Sequence, residues 1–534
     1  MNRDSEITEV APSLTGLRES SGSKVRDQSR GLGESHFQLT PFQKTIVDSL
    51  LLVCALAMVS FVTIRPSTSM DEDLWWHLRT GNWIIQHRSV PVHDSFASYT
   101  MGKTWIAYSW LFEVLVSGIY GRWGMHGILT FTELFMLACI AGIIVLLSRY
   151  VSVRRAMALG TAALWAMLPL ASPRPWVFTI LFFILELYLL LQARERGRAA
   201  WMWPIVPLFA VWANIHIQFV YGLGLIGLFA LERPLGTLLK WPTYSARLHA
   251  QWFWALLAVS TLATLANPYG WNIYAVVRQY AAEAAPLQLV HEMHALGFRS
   301  VTDWTALLLV CSAFFAQAKS RNNSPLMLLL LVVSCWFGFR AARDVWFLAI
   351  ASTLAVASGI GSPEETHMNA SRWKEWTIAL PISLTLAFAA LGAGGVDEGN
   401  LRKAAEKRFP ERAAEYVDNH QLPGPLYNSY NWGGYLIWRL PNMPVSIDGR
   451  ANLHGDDRLT RWADTYSGKR DWAADPTLAK ANTILLERDC SLASILRSDV
   501  RYRLLYEDDV ASVFRPVRTG DVNPQAEAAE TEWF

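Results

Sequence analysis

Three carboxylates stand side by side at Asp71-Glu72-Asp73, and the run Leu74-Trp75-Trp76-His77 follows at once. Adjacent carboxylates repel and raise one another's pKa unless a cation, an arginine or a donor hydroxyl compensates. Such groups suit general-base removal of a proton from a hydroxyl. They also suit oxygen ligation of a divalent metal, which the motif leaves open. Further polar residues recur in short islands: "SPRPW" around Arg174, "WANIHIQF" with Asn214 and His216, and "ANPYGWNIY" around Asn267. Then come "VHEMHALGFRSVTDW" with His291, Glu292 and His294, and "FGFRAARDVWF" with Arg340, Arg343 and Asp344. Each island alone has a plain reading. Arg340 and Arg343 can anchor at an interface, His216 can be a satisfied helix-end histidine, and Asn267-Pro268-Tyr269-Gly270 can end a helix. His291 and His294 make an i,i+3 pair without further metal ligands.

The elements that must position these islands are long apolar runs almost free of charge, such as "TIVDSLLLVCALAMVSFVTI", "WFWALLAVSTLATLA" and "PLMLLLLVVSCWFGF". In hydrocarbon a backbone must satisfy its own hydrogen bonds, so these runs are expected as membrane helices. With 52% of residues hydrophobic and 17% charged, a soluble chain of this length is excluded. Many of the 25 Trp flank the runs, where an indole favours the membrane-water boundary. Net charge is +2 with no basic stripe, which excludes a nucleic-acid binder. The five Cys form no CxxC, so neither a disulfide framework nor a zinc site is expected.

Spans are expected at 46–64, 127–148, 156–172, 176–191, 201–213, 217–232, 252–268, 303–318, 325–339, 345–361 and 376–394. The segment 107–121 is short and amphipathic and contains Glu113. If it lies along the surface and the N-terminus is cytoplasmic, every short basic loop falls on one side; if it crosses, the positive-inside rule fails repeatedly. The reading is therefore about eleven spans, with all the polar islands gathered at the outer end. The fold class expected is mainly α: a polytopic transmembrane helix bundle with a small C-terminal soluble α/β domain. Residues 1–44 read as a disordered cytoplasmic tail with no signal peptide. Residues 45–394 read as the transmembrane domain with a first outer loop at 65–126, and residues 395–534 as the extracytoplasmic soluble domain. Within that domain "GPLYNS", "MPVSIDGR" and "NTILLER" read as strands, "DRLTRWADTYSG" and "SLASILRSD" as helices, and "YRLLYEDDVASVFRP" as a hairpin. Asp448-Gly449-Arg450 reads as a structural turn in preference to a sugar-contacting loop.

At "DEDLWWHLRTGNWI", "PVHDSFASYT", "TWIAYSWLFE", "PRPW", "WANIHIQF", "NPYG", "YNWGGYLIW" and "SIDGR", the chain resembles an uncharacterised bacterial branch of the GT-C superfamily of membrane glycosyltransferases. The resemblance is to the layout of almost the whole chain. It implies a polyprenyl-phosphate-linked sugar donor, an acceptor that is a glycan, lipid or protein, and transfer with inversion at the outer face of the plasma (inner) membrane. Asp71, Glu72 or Asp73 would act as base. Arg174, Arg340 and Arg343 would meet the leaving phosphate, because a guanidinium matches phosphate in a fork. Trp75, Trp76 and Trp105 would stack on sugar faces or anchor at the interface, and His77, Asp94 and His216 would line the substrate site. The DED-LWWHL run departs from the family's usual acidic pair and Tyr-rich helix, which leaves open which carboxylate is the base and whether this branch is catalytic. The rival readings are a lipid-linked-sugar transporter or flippase, for which no internal repeat is visible, and a non-catalytic protein of the same fold.

Overall fold

The structure is a computed structural model that describes residues 40–63, 70–238, 240, 248–320, 324–361, 382 and 398–517. Helix α1 spans Pro41–Thr63. The first loop contributes α2, Leu74–His87, and the chain enters α3 at Trp110–Leu147. Next come α4 (Val153–Met167), α5 (Trp176–Arg196), α6 (Ile205–Trp212), α7 (Phe219–Leu238), α8 (Ala250–Ala263) and α9 (Ile273–Ala282). The bundle closes with α10 (Val301–Lys319), α11 (Pro325–Arg340) and α12 (Val345–Ile360). Helix α12 is apolar all round and buried from Val345 to Ala357, packed by α4, α10 and α11, as a central helix must be.

Among the described residues, five stretches are long and apolar enough to cross a membrane: Trp110–Leu147, Trp176–Arg196, Phe219–Leu238, Val301–Lys319 and Ala342–Ile360. Their outward faces leave large side chains uncovered by protein, with Leu308 65% and Phe315 70% exposed, a surface that calls for lipid. The chain is a multi-pass membrane protein. Three further apolar helices, Ala199–Trp212, Ala250–Ala263 and Pro325–Arg340, are shorter. The expected spans at 201–213 and 252–268 fall on α6 and α8, of 8 and 14 residues, well under the roughly 20 that cross hydrocarbon. They are short because polar turns at Asn214-Ile215-His216 and Asn267-Pro268 end them early. The span expected at 376–394 lies outside the described residues, as does the tail read at 1–44 apart from residues 40–44.

Helix α3 is two helices joined at Gly124, whose φ of 59° and ψ of −150° are open in practice only to glycine. The kink separates the amphipathic 110–123 stretch, which packs on α2, from the apolar helix that follows. The expected division between 107–121 and the span at 127–148 coincides with it.

Thr45–Phe534 folds as one unit, so the C-terminal region packs directly on the first loop. It begins with α13 (Glu398–Arg408) and α14 (Glu411–Asn419), followed by β1 (Leu426–Asn428) and α15 (Gly433–Arg439). Helix α16 (Asp456–Tyr466), β2 (Thr483–Glu487), α17 (Ser491–Ser498), β3 (Tyr502–Glu507) and β4 (Ala511–Pro516) complete it. The sheet order is β1-β2-β4-β3, with β1 and β2 parallel and the other pairs antiparallel. The run "MPVSIDGR", expected as a strand, is not one. Val445 instead exchanges backbone hydrogen bonds with the first loop: its amide donates to the Phe96 carbonyl (3.1 Å), and its carbonyl accepts from the Ser98 amide (2.7 Å). Its extended backbone satisfies a partner 347 residues away in sequence rather than a neighbour in the sheet.

Candidate active site

Asp71, Glu72 and Asp73 immediately precede α2. Asp73 stands at the N-cap, yet its carboxylate makes no cap bond and turns instead to Arg174. Arg174 lies between Pro173 and Pro175, directly before α5; the following proline keeps it extended, so the side chain leaves the helix end rather than joining it. Its Nε donates to both oxygens of Asp71 (2.8 and 2.7 Å). Its Nη1 reaches Asp73 Oδ2 (2.9 Å) and Glu292 (2.8 and 2.7 Å). One guanidinium thus serves three carboxylates. Glu72 turns away to Arg408 of α13 (3.1 Å).

This sharing leaves excess negative charge. Burial pushes the Asp73 carboxyl up to about 7 against the pull of Arg174, and the neighbouring Asp71, Glu292 and Glu72 push the same way. A carboxyl with that pKa is poised to take or hold a proton near neutrality. Burial also raises Glu72, with Arg408 opposing. His77 is driven well below its usual value by burial, then by Arg174 and His216, so its ring is neutral.

These groups open on a cavity of about 1140 Å³, above the usual small-ligand range of roughly 300–1,000 Å³ and roomy enough for two substrates. Of the residues expected from sequence to act in catalysis or substrate binding, Asp71, Glu72, Asp73, Trp76, His77, Trp105, Arg174, His216 and Arg343 line it, together with His291, Glu292 and His294. Three do not. Trp75 packs edge-on against Tyr120, Phe409 and Tyr435, joining α2 to the C-terminal region. Arg340 is exposed off the cavity. Asp94 is fully engaged: it accepts from Thr100 and from the amides of Phe96 and Ala97, and it receives Arg450 Nη1 at 2.7 Å.

Arg450 joins the first loop to the C-terminal region. It also pairs with Asp448 (2.7 Å) and lies over the ring of Trp105 (4.6 Å). Burial would push Asp448 up, but Arg450 and His454 outweigh it and hold that carboxyl well below the carboxylate range. The adjacent Gly449 is there for a steric reason: a Cβ on it would lie 1.8 Å from Asp73 Oδ1. The turn is structural, and it also forms cavity wall.

His216 Nδ1 contacts the Thr179 hydroxyl (2.8 Å), and the same oxygen accepts from Trp212 Nε1 (2.9 Å). Asn267-Pro268-Tyr269-Gly270 ends α8 and pins the first loop, Tyr269 Oη donating to the Pro91 carbonyl (2.9 Å) and accepting from the Ala107 amide (3.1 Å). His294 Nε2 contacts the Gln288 carbonyl (2.8 Å), and among the described residues no group of three His, Cys, Asp or Glu is arranged to hold a metal ion. The cation at the acidic motif is Arg174.

Sequence reading passed over Glu113, Ser109, Tyr280 and Tyr430 as site residues and preferred a structural turn to a sugar-contacting loop at Arg450; all five line the cavity. Glu113 carried a signal, a carboxylate in an otherwise apolar helix face; Tyr430 carried none, since only domain docking brings it there. Arg343 lies over the Tyr280 ring (5.6 Å), and among the described residues no carboxylate lies within salt-bridge distance of it. Arg343 and Arg299 both line the cavity without a carboxylate partner among the described residues, and Arg343 is the one that lies over an aromatic ring.

Helix bundle, acidic loop and C-terminal region together enclose one cavity lined by the acidic motif. No family model and no curated protein matches the chain. Among solved structures it is similar to an oligosaccharyltransferase from Archaeoglobus fulgidus tethered with an acceptor peptide (12% identity, 82% of this chain and 69% of that one, TM-score 0.49). It is also similar to ArnT from Cupriavidus metallidurans bound to undecaprenyl phosphate (14% identity, 88% and 98%, TM-score 0.48). A third is the arabinofuranosyltransferase AftD from Mycobacteria (12% identity, 90% and 42%, TM-score 0.44). With every TM-score below 0.5, these likenesses assign no activity to this chain, and the functional reading rests on the cavity.

Proposed function

We propose that the protein is a glycosyltransferase of the plasma (inner) membrane that moves a sugar from a polyprenyl-phosphate donor to an acceptor hydroxyl, with inversion. The supporting observation is that one cavity holds both a carboxyl raised to about 7, Asp73, and a guanidinium without a carboxylate partner, Arg343. Asp73 takes the proton of the acceptor hydroxyl. The acceptor oxygen bonds to the anomeric carbon as the bond from that carbon to the phosphate oxygen breaks. The leaving polyprenyl phosphate keeps the electron pair, and Arg343 meets the charge that develops. Arg174 holds Asp71 and Asp73 in place and tempers their mutual repulsion. The C-terminal region closes the acceptor side through Tyr430, Gly449 and Arg450.

The test uses membrane vesicles carrying the full chain and a radiolabelled polyprenyl-phosphate sugar. Label is expected to leave the donor only with the wild-type chain and not with Asp73→Asn. Equal transfer by the Asp73→Asn chain, correctly inserted, would sink this reading. The extracytoplasmic placement is checked separately by substituting Cys at Ser467 in a background without native Cys. An impermeant thiol reagent is expected to label it from outside intact cells.

A further inference from the structure

The proton acceptor, its arginine and the phosphate-facing cation leave one wall of the cavity without a role. On that wall Trp76 Nε1, Ser109 Oγ and Glu113 Oε2 have no hydrogen-bond partner among the described residues, although their residues are 7%, 1% and 0% exposed. Buried polar groups in folded proteins are nearly always hydrogen-bonded, so three orphans on one cavity wall point to a polar occupant. The groups adjoin one another. Glu113 follows Ser109 by one turn, its amide donating to the Ser109 carbonyl (3.0 Å). Glu113 Oε1 lies 3.3 Å from His77 Nδ1, and the His77 ring lies 3.6 Å from that of Trp76. Trp105, 4% exposed, lines the same cavity.

We propose that Ser109, Glu113 and His77 form a hydroxyl-binding subsite that holds a sugar ring beside Trp76 and Trp105. A polyprenyl tail is disfavoured there because it would leave every orphan unsatisfied. A neutral polyhydroxylated ring fits: its hydroxyls bond to the Glu113 carboxyl group and accept from Ser109 Oγ and the indole N–H. Its apolar face suits an aromatic neighbour. The inference rests on the transferase reading only for the ring's part in transfer, and it extends that reading by naming the residues that grip the sugar.

The full chain in lipid nanodiscs is examined by saturation-transfer NMR with D-mannose, D-glucose, D-arabinose and N-acetyl-D-glucosamine, each with and without undecaprenyl phosphate. At least one sugar is expected to give ring-proton signals that weaken about fivefold or more in Glu113→Gln and in Ser109→Ala. Ser109→Ala removes only an unpartnered hydroxyl, so it keeps the test alive if the Glu113 variant fails to fold. Binding strengthened by undecaprenyl phosphate marks a donor sugar, and binding indifferent to it marks an acceptor sugar; either supports the subsite. Absence of signal from every sugar, or signal unchanged in both variants, overturns it. Undecaprenyl phosphate that binds in an Arg343-dependent way while the sugars fail leaves the transferase reading standing without this subsite. Sugars that bind while undecaprenyl phosphate does not leave the subsite standing without that reading.

Discussion

The two ends of α5 each hold a buried arginine, and they treat it differently. At the far end Arg194 makes a two-pronged pair with Glu232 of α7, Nε to Oε2 at 2.7 Å and Nη2 to Oε1 at 2.5 Å, and Ser324 donates to the same carboxylate. At the cavity end Arg174 is divided among Asp71, Asp73 and Glu292. The two sites lie roughly 30 Å apart, the length of a 21-residue helix. Charge is matched at the first and in excess at the second. A buried two-pronged pair holds helices together, whereas an over-subscribed arginine leaves one carboxyl poised to exchange a proton. The first suits a scaffold, and the second suits the proton transfer proposed above.

That contrast can be broken most directly at Asp73. Asp73→Asn keeps the shape and removes the base, and transfer is expected to fall about 10²–10⁴-fold with the melting temperature little changed. Gly449→Ala tests the same point from the docked region. Its Cβ must displace the Asp73 carboxylate, so activity is expected to fall about tenfold or more from a residue that carries no functional group. At the far end the expectation reverses. Glu232→Gln or Arg194→Ala strands a buried charge and should cost about 3–5 kcal/mol of stability, read by thermal unfolding in nanodiscs, while the surviving protein turns over normally. Loss of turnover without loss of stability there would erase the distinction.

Two smaller effects sharpen it. Arg343→Ala should weaken undecaprenyl phosphate binding about tenfold, the worth of one charge-assisted contact, and Arg343→Lys should restore part of it. The pH profile should also divide the two ends. Because the Asp73 pKa is raised to about 7, the base is protonated below that value and ionised above it, so turnover should rise with pH through about 7 and level off. The sign for stability is opposite. A carboxyl harder to ionise in the folded state than in the unfolded one costs stability as pH rises from its ordinary range toward 7. A flat profile between pH 6 and 8 would remove Asp73 as base.

Much of this was legible locally. Apolar runs marked the helices that are long enough to cross a membrane, because hydrocarbon leaves a backbone few choices. The spans expected at 156–172 and 176–191 left Arg174 between helices, and the adjacency of Asp71, Glu72 and Asp73 called for a cation, an arginine or a donor hydroxyl. The reading of "MPVSIDGR" as a strand had the extended backbone right and the partner wrong. Asp94 and Trp75 had the side-chain types of a site, yet the first is consumed by Arg450 and the second by an aromatic cluster.

The sequence by itself determined which segments bury and which residues could do chemistry, since side-chain periodicity and turn residues act over a few positions. Only the tertiary structure decided who pairs with whom. Arg174 finds Asp71 across 103 residues and Glu292 across 118, and Arg450 reaches Asp94 across 356. No local pattern carries such choices, because an ion pair depends on distance in space and on burial, and both are set only when the helices and the C-terminal region have packed.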